Sequence, residues 1–336
     1  MMETGPEHTA RLSLVALGAD ELERLLPLTE CVELMQKALI AISDARTKVT
    51  PRMKLATPGD VGTIGMMSGG VAGIGHGIKL VSFFPGNMQR GLSTHAGVYL
   101  LYGDQDGVPV CMMDAGRLTA IRTAAATVAA TLALARPDAR RLLIIGAGEQ
   151  AERHAAALPA ACNFEQVLVW ARRPQAAEAL AGKLKSRVPM IAVARDLRAA
   201  AAGADVICTC TSAHDPVLDA DWIAQGAHIN LVGSSFVQFS ELDPALLPRA
   251  RYFVDSHASA LEQAGELRRA MAAGLGGVEL IAGEIGSVLG GALPGRVNAK
   301  DITIFKSLGH AAEDVFAARY AYDAAIRQGS GSTFVM

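Results

Sequence analysis

The chain has 336 residues, 51% of them hydrophobic and 19% charged, with a formal net charge of −2. That length suits about two domains, and that composition suits a packed globular chain rather than a disordered one. No basic run marks a nucleic-acid or anionic-lipid binder. The start of the chain carries acidic residues and lacks the apolar run of a secretory signal. The apolar segment 124–135 is too short to span a bilayer and is flanked by Arg122 and Arg136, so a cytoplasmic protein with no membrane partner is expected.

Residues 20–43 predict a helix, because Leu22, Leu25, Leu26, Val32, Met35, Ala38 and Leu39 recur at helical spacing. Thr29 reads as an N-cap, with Glu30 in the first turn. Between 50 and 110 the pattern turns β-rich. The runs Val61–Met67, Ile78–Phe84, Ala96–Tyr102 and Val108–Asp114 are separated by Gly, Asn and Asp, and 102–108 reads as a hairpin connection. This predicts an α+β unit with an antiparallel sheet.

An Ala-rich helix is predicted over 117–135, after which strands and helices alternate. Strands are expected at Arg141–Ile145, Gln166–Trp170, 189–194, Asp205–Thr209, Ala227–Leu231 and Tyr252–Val254, and helices at 149–159, 174–186 and 196–203. Such alternation predicts a parallel α/β sheet with crossover helices. A last helix at 307–327 lies beyond that pattern and is expected to rejoin the first unit. The implied division is 1–117 with 306–336 as one domain and 118–305 as the other.

Cys31, Cys111, Cys162, Cys208 and Cys210 form no CxxC, and no HExxH or His/Cys cluster is present in sequence. Cys208 and Cys210 alternate, so they share one side of a strand and read as core residues. No metal is expected. His228 sits in an apolar strand and reads as structural. His95 stands near the strand carrying Lys79 and reads as a strand-end histidine, with a proton relay as the alternative.

The segment Arg141-Leu-Leu-Ile-Ile-Gly146-Ala147-Gly148-Glu149-Gln150-Ala151 is GxGxxA between a strand and a helix, and Val167–Trp170 completes the βαβ unit. In this context the motif predicts a Rossmann dinucleotide site. Gly146 permits the tight turn, Gly148 lets the pyrophosphate approach the backbone and helix N-terminus, and Ala151 permits close helix–strand contact. After the second strand stands Trp170-Ala171-Arg172-Arg173. An NAD site usually has a carboxylate here, whereas guanidinium groups suit a 2′-phosphate. The expected cofactor is therefore NADP(H) rather than NAD(H).

Several collinear segments then carry a resemblance. They include Lys79-Leu-Val-Ser-Phe-Phe, Leu118-Thr-Ala-Ile-Arg122-Thr-Ala-Ala, the glycine loop, Gly226-Ala-His-Ile-Asn-Leu-Val-Gly233-Ser-Ser, Glu241-Leu-Asp243, Val254-Asp-Ser256 and Phe305-Lys-Ser-Leu-Gly-His-Ala-Ala-Glu313-Asp314. The chain resembles the ornithine cyclodeaminase/μ-crystallin family between about Pro51 and Asp314. The resemblance implies a homodimer. It also implies a Rossmann domain inserted in an α+β substrate-binding and dimerisation domain, and a small α-imino or amino acid as substrate. It places Arg52, Lys79 and Arg122 on the substrate carboxylate, beside Met67. The expected cofactor contacts are Arg122, Thr123, Gly146, Ala147, Gly148, Glu149, Gln150, Ala171, Arg172, Arg173, Thr209, Thr211, Val232 and Gly233.

Departures from the family pattern narrow the chemistry. Ornithine cyclodeaminases carry an Asp where this chain has Ser235, and a Glu where it has Gly65 ahead of Met66-Met67. Without those carboxylates a diamine substrate is disfavoured, and the chain resembles the ketimine or imine reductases instead. The catalytic residues expected are Lys79, Arg122 and Ser235, with Lys79 and a water held by Ser235 as alternative proton sources. The competing readings are an ornithine cyclodeaminase or alanine-type dehydrogenase, and a non-catalytic μ-crystallin-like binder of NADPH and a small ligand. Phe83, Phe84, Met66, Met67 and Phe236 line the pocket or pack in the core on this reading.

Overall fold

The computed structural model describes residues 12–93 and 95–335, except the side chains of Met88 and His95. Two eight-stranded sheets organise it. The first comprises β1 (Ser13–Leu17), β2 (Thr47–Val49), β3 (Met53–Ala56), β4 (Thr63–Val71), β5 (Gly75–Phe83), β6 (His95–Tyr102), β7 (Pro109–Asp114) and β16 (Ser332–Val335). Its order is β16-β1-β7-β6-β5-β4-β2, with β3 also on β4. The β2-to-β7 pairings are antiparallel as expected, while β1 joins β7 in parallel.

The second sheet comprises β8 (Arg141–Ile145), β9 (Gln166–Trp170), β10 (Ile191–Val193), β11 (Val206–Thr209), β12 (His228–Leu231), β13 (Ala250–Val254), β14 (Ile281–Glu284) and β15 (Ile302–Lys306). It runs in the order β10-β9-β8-β11-β12-β15-β13-β14, and every pairing is parallel. β11, β12 and β15 are buried at every residue. Covering on both faces buries even the polar residues of β12 and β15, among them His228, Asn230, Thr303 and Lys306. The sheet reverses order between β8 and β11, and there a doubly wound sheet opens its ligand crevice.

The helices are α1 (Ala19–Leu25), α2 (Leu28–Ser43), α3 (Ala115–Leu134), α4 (Glu149–Ala161), α5 (Pro174–Leu184), α6 (Leu197–Gly203), α7 (His257–Gln263), α8 (Gly265–Ala272), α9 (Ile285–Leu289) and α10 (Ala311–Gln328). α3 is the bridge between the sheets: it packs on β6 of the first and touches β12 and β15 of the second. Nearly every residue from Leu118 to Leu134 is buried, so its apolar run is an internal helix. Among the described residues no helix is long and apolar enough to cross a membrane. α10 brings the chain back onto β4 and β5, at a contact so close that a methyl added at Gly69 would lie 2.8 Å from the Ala311 Cβ.

Some expectations change. The helix predicted over 20–43 is two helices, and Thr29 lies inside the second, whose N-cap is Pro27. Proline lacks an amide hydrogen and steers the residue before it out of the helical region, and Leu26 accordingly has φ −118° and ψ 70°. β15 emerges just before the last helix, from Ile302-Thr-Ile-Phe-Lys306, a run too short for its periodicity to tell strand from helix. Cys208 and Cys210 are buried as read, with His154 of α4 bringing a third ligand-type atom within 4.8 Å of theirs. Both ring nitrogens of His154 already face partners, the Gln150 carbonyl at 2.7 Å and the Thr127 hydroxyl at 2.9 Å. His228 is structural as read. It bridges Thr303 and Asn230, and burial, then the nearby Arg296 charge, lower its pKa to about 3.

At the α2–α9 crossing, a Cβ on Gly286 would lie 1.9 Å from the Leu39 carbonyl oxygen, a backbone atom that cannot rotate away. Gly286→Ala is expected to destabilise the chain by ~1–3 kcal/mol through overpacking. Urea unfolding monitored by circular dichroism checks this, and an unchanged midpoint would show that the crossing tolerates the methyl.

Candidate functional site: a cation cluster beside a dinucleotide crevice

The strand–turn–helix of the glycine loop forms as the sequence dictates. Gly146 has φ +128°, and a Cβ there would strike the Cys210 carbonyl oxygen at 2.4 Å. Only glycine suits both the left-handed backbone and that approach. Gly148 is the N-cap of α4, and a Cβ built on it meets nothing within 4 Å. Its backbone therefore faces open space at a helix N-terminus, the geometry a pyrophosphate needs. Ala151 is fully buried against the sheet. Ala147 and Ala171 pack on the core at the crevice edge. Glu149 and Gln150 open α4, with the Gln150 Oε1 buried and unpartnered among the described residues.

Arg172 and Arg173 are both exposed just past β9, with Arg173 as the N-cap residue of α5. Their guanidinium groups stand in solvent beside the crevice and are free to receive an anion. The far side of the crevice is built by the ends of β11 and β12. Thr209 is fully buried, and its hydroxyl donates to Glu241 rather than toward the crevice. Thr211 does the same, and Gly233 follows Val232 in the turn after β12. The residues present thus fit a nicotinamide dinucleotide.

The cations predicted from sequence converge near the carboxyl ends of β12 and β15. Lys79 points from β5 into the interior and pairs with Asp314 at 2.7 Å, while its ammonium donates to Thr119 at 3.2 Å. Met67 is directly opposite it on β4 and so shares its face. Arg122, one turn further along α3 than Leu118, donates through Nε to Asp314 at 2.9 Å and through Nη1 to Glu313 at 3.0 Å. Gly309, at φ +77°, makes room for that guanidinium: a Cβ there would sit 2.8 Å from it. Arg52 is half-buried and donates to the backbone carbonyls of Leu308 and, at 2.6 Å, Gly309. The Leu308–Gly309 turn is itself fixed by Asp255, whose Oδ2 accepts both amide hydrogens at 2.7 Å.

These partners set the charges. Burial drives the Lys79 ammonium down to about 8, even with Asp314 opposing it. Burial alone would raise the Asp314 carboxyl, but Arg122 and then Lys79 hold it below the usual carboxylate range. Burial alone would lower Arg122, yet Asp314 and Glu313 outweigh it and keep the guanidinium charged. Arg52 differs from both, because its hydrogen-bonded partners are neutral carbonyls. It leaves a positive charge without a directly bonded counter-ion.

Ser235 lies half-buried in the loop after β12, next to Ser234, whose carbonyl accepts from the buried Lys306 ammonium at 2.7 Å. Lys306 also approaches Glu266 at 3.5 Å, and Glu266 accepts from Tyr252. Phe236 places its ring under the Lys54 ammonium at 3.5 Å, so this loop touches β3 of the other sheet. His95 opens β6, but its side chain lies outside the described ones. Glu313, Asp314, Asp255 and Lys306 were missed as site residues by sequence reasoning. An acidic pair in the first turn of a helix signals only dipole compensation until the fold shows what it faces.

Comparison with known proteins agrees with this geometry. The model of the ornithine cyclodeaminase/mu-crystallin family matches residues 14–329. The Delta(1)-pyrroline-2-carboxylate reductase of Bacillus cereus is 34% identical over 322 residues, covering 95% of this chain and 99% of its own. The ketimine reductase mu-crystallin of Mus musculus is 37% identical over 245 residues, covering 73% and 74%. Among solved structures, the Delta(1)-pyrroline-2-carboxylate reductase of Thermococcus litoralis, in complex with NADH and L-proline, superposes with a TM-score of 0.90 at 31% identity over 95% of this chain and 99% of that one. With the glycine loop, the cation cluster and the whole-length match in agreement, the chain belongs to the ornithine cyclodeaminase/mu-crystallin family.

Proposed function

We propose that the chain reduces the C=N bond of an α-imino acid with NADPH, giving the amino acid. The observation that carries this reading is the convergence of Arg52, Lys79 and Arg122 at the carboxyl ends of β12 and β15, next to a dinucleotide crevice. The relatives' names support it: one is a pyrroline-2-carboxylate reductase and another a ketimine reductase. The missing carboxylates at Gly65 and Ser235 weigh against the cyclisation of a diamine.

The residues divide the work. Arg52, with its charge unneutralised by a bonded carboxylate, is the first partner for the substrate carboxylate, and its fork favours two parallel hydrogen bonds. Lys79 and Arg122, held in place by Asp314 and Glu313, fix the orientation of the bound acid. Bound NADPH supplies the hydride. Reduction of the C=N bond also takes up a proton at nitrogen. A buried lysine with its pKa lowered to about 8 is suited to give that proton near neutral pH, and Ser235 is placed to hold a water as the other source. Arg172 and Arg173 bind the 2′-phosphate on this reading, in preference to the plain ribose of NADH.

We further propose that the first sheet, with α10, forms a substrate-binding and dimerisation unit, and that the second sheet forms the cofactor unit. Ile64, Met66, Ile78, Leu80, Val98, Leu100, Val110 and Met112 share the face of the first sheet opposite Lys79 and Tyr99, and each stays at least partly exposed. An apolar sheet face of that extent suits a second copy of the chain. A cytoplasmic location completes the reading.

Steady-state NADPH consumption with pyrroline-2-carboxylate and piperideine-2-carboxylate tests the proposal directly. Tight NADPH binding with no turnover of either imine would favour the non-catalytic binder, and ammonia release from ornithine would favour the cyclodeaminase. Arg52→Ala is expected to raise KM for the imino acid roughly 10- to 100-fold with a smaller change in kcat, the loss of one charge-assisted pair. An unchanged kcat/KM would remove Arg52 from the carboxylate site.

Because donation requires the ammonium form, kcat/KM is expected to hold level below about pH 8 and to fall about tenfold per pH unit above it as Lys79 deprotonates. A pH–rate profile without that alkaline limb would leave the Ser235-held water as the donor. Replacing both Arg172 and Arg173 with Ala is expected to raise KM for NADPH on the order of 10-fold and to leave that for NADH within about 2-fold. A wild-type preference for NADH would overturn the cofactor assignment.

A further inference from the structure

Glu241 is a further buried carboxylate at the crevice, and the reaction as proposed above does not use it. Only 1% of it is exposed. Its carboxylate accepts four hydrogen bonds: from the Thr209 hydroxyl at 2.8 Å, the Thr211 amide at 2.6 Å, the Thr211 hydroxyl at 2.7 Å and the Gly233 amide at 2.7 Å. All four donors are neutral, and two are backbone groups. The bonds satisfy the carboxylate's lone pairs, but they leave a full negative charge inside the protein.

The backbone around it is built for that charge. A Cβ on Gly233 would lie 2.4 Å from the Glu241 Oε1 and 2.2 Å from the Thr211 carbonyl oxygen, so any larger residue would push the carboxylate out of its seat. The Glu241 carbonyl in turn accepts from Val217 and Leu218, anchoring the residue from its other side. The four bonds join the turn after β11 to the turn after β12. These strands lie on the other side of the switch point from β8, whose end carries the glycine loop. In a doubly wound sheet the two halves each take one mononucleotide, and the half away from the glycine fingerprint takes the nicotinamide side.

We propose that Glu241 is a positioning residue that seats the nicotinamide half of the cofactor and biases it electrostatically toward its oxidised form. The inference rests on the nicotinamide-dinucleotide reading given above. An oxidised nicotinamide ring carries a positive charge and a reduced one is neutral. A fixed anion held by the turns on the nicotinamide side would therefore bind the oxidised form more tightly than the reduced one, and would stabilise the positive charge that develops as hydride leaves. A brace without a charge would support both forms alike.

The test is the ratio of two dissociation constants, for NADP+ and for NADPH, measured by fluorescence and calorimetric titration of the full chain. Glu241→Gln is expected to weaken both forms and to raise the NADP+/NADPH ratio of Kd on the order of 3- to 10-fold, the size of one charge acting across a short protein distance. Thr209→Val, which removes one bond and keeps the charge, is expected to weaken both forms by the same factor. Equal losses in Glu241→Gln, or no loss at all, would overturn the proposal. If Glu241→Gln does not fold, Glu241→Asp takes its place: it keeps the charge but withdraws the carboxylate from the two turns. Weaker binding of both forms with a raised NADP+/NADPH ratio of Kd supports the proposal, and equal losses or unchanged affinities overturn it. Failure of the wild-type chain to bind either cofactor would instead sink the underlying nicotinamide reading.

Discussion

The arrangement of the site depends on one buried ion cluster, in which Asp314 and Glu313 of α10 hold Lys79 of β5 and Arg122 of α3. All four side chains are almost wholly removed from solvent, where an unpaired charge would cost several kcal/mol. Each group is therefore bound to the others' positions, and through them the first sheet, the bridging helix and the last helix are fixed to one another. Such a cluster adds less to stability than its short distances suggest, since desolvation offsets most of the attraction. Its contribution is geometric. Removing one member leaves its partner buried and uncompensated, so a substitution at Lys79 or Arg122 acts on folding as well as on the proposed ligand site.

The same cluster explains why the three cations are not equivalent. Lys79 and Arg122 have their charge balanced within the protein, whereas Arg52 bonds only to carbonyl oxygens. On the function proposed above, a substrate carboxylate would meet Arg52 as the cation without a bonded counter-ion and the other two as oriented donors. The turn that fixes Arg52 follows β15, and the Lys306 ammonium at the end of that strand holds the loop bearing Ser235. One strand end thus positions groups on both sides of the cleft.

Much of this was legible in the sequence, and the reason differs by residue. Gly146, Gly148 and Ala151 were legible because backbone geometry alone demands them within a strand–turn–helix context. Cys208, Cys210, His228 and the alternation of the second sheet were legible from pattern and period. The break at Pro27 was not, because Leu22 to Leu39 keep helical spacing across it and the apolar pattern outweighed the proline. Glu313 and Asp314 stood in a quoted motif, yet their role depends on Lys79 and Arg122, some two hundred residues earlier in the chain, and no local pattern reports such a pairing. Glu241 was hidden for the same reason: its partners are turns from two other strands.

The placement of Glu313 and Asp314 at the start of α10 has a consequence for synthesis. Domains generally fold as units while the chain is still being made, the earlier ones first. No strand of the second sheet follows β15, so its strand pairing can form while the ribosome still holds the end of the chain. Until α10 emerges, Lys79 and Arg122 have no carboxylates and the face of β4 and β5 that α10 covers is bare. A nascent chain would therefore gain its dinucleotide crevice before its cation cluster, and the cleft would take its working shape only once the last helix had docked.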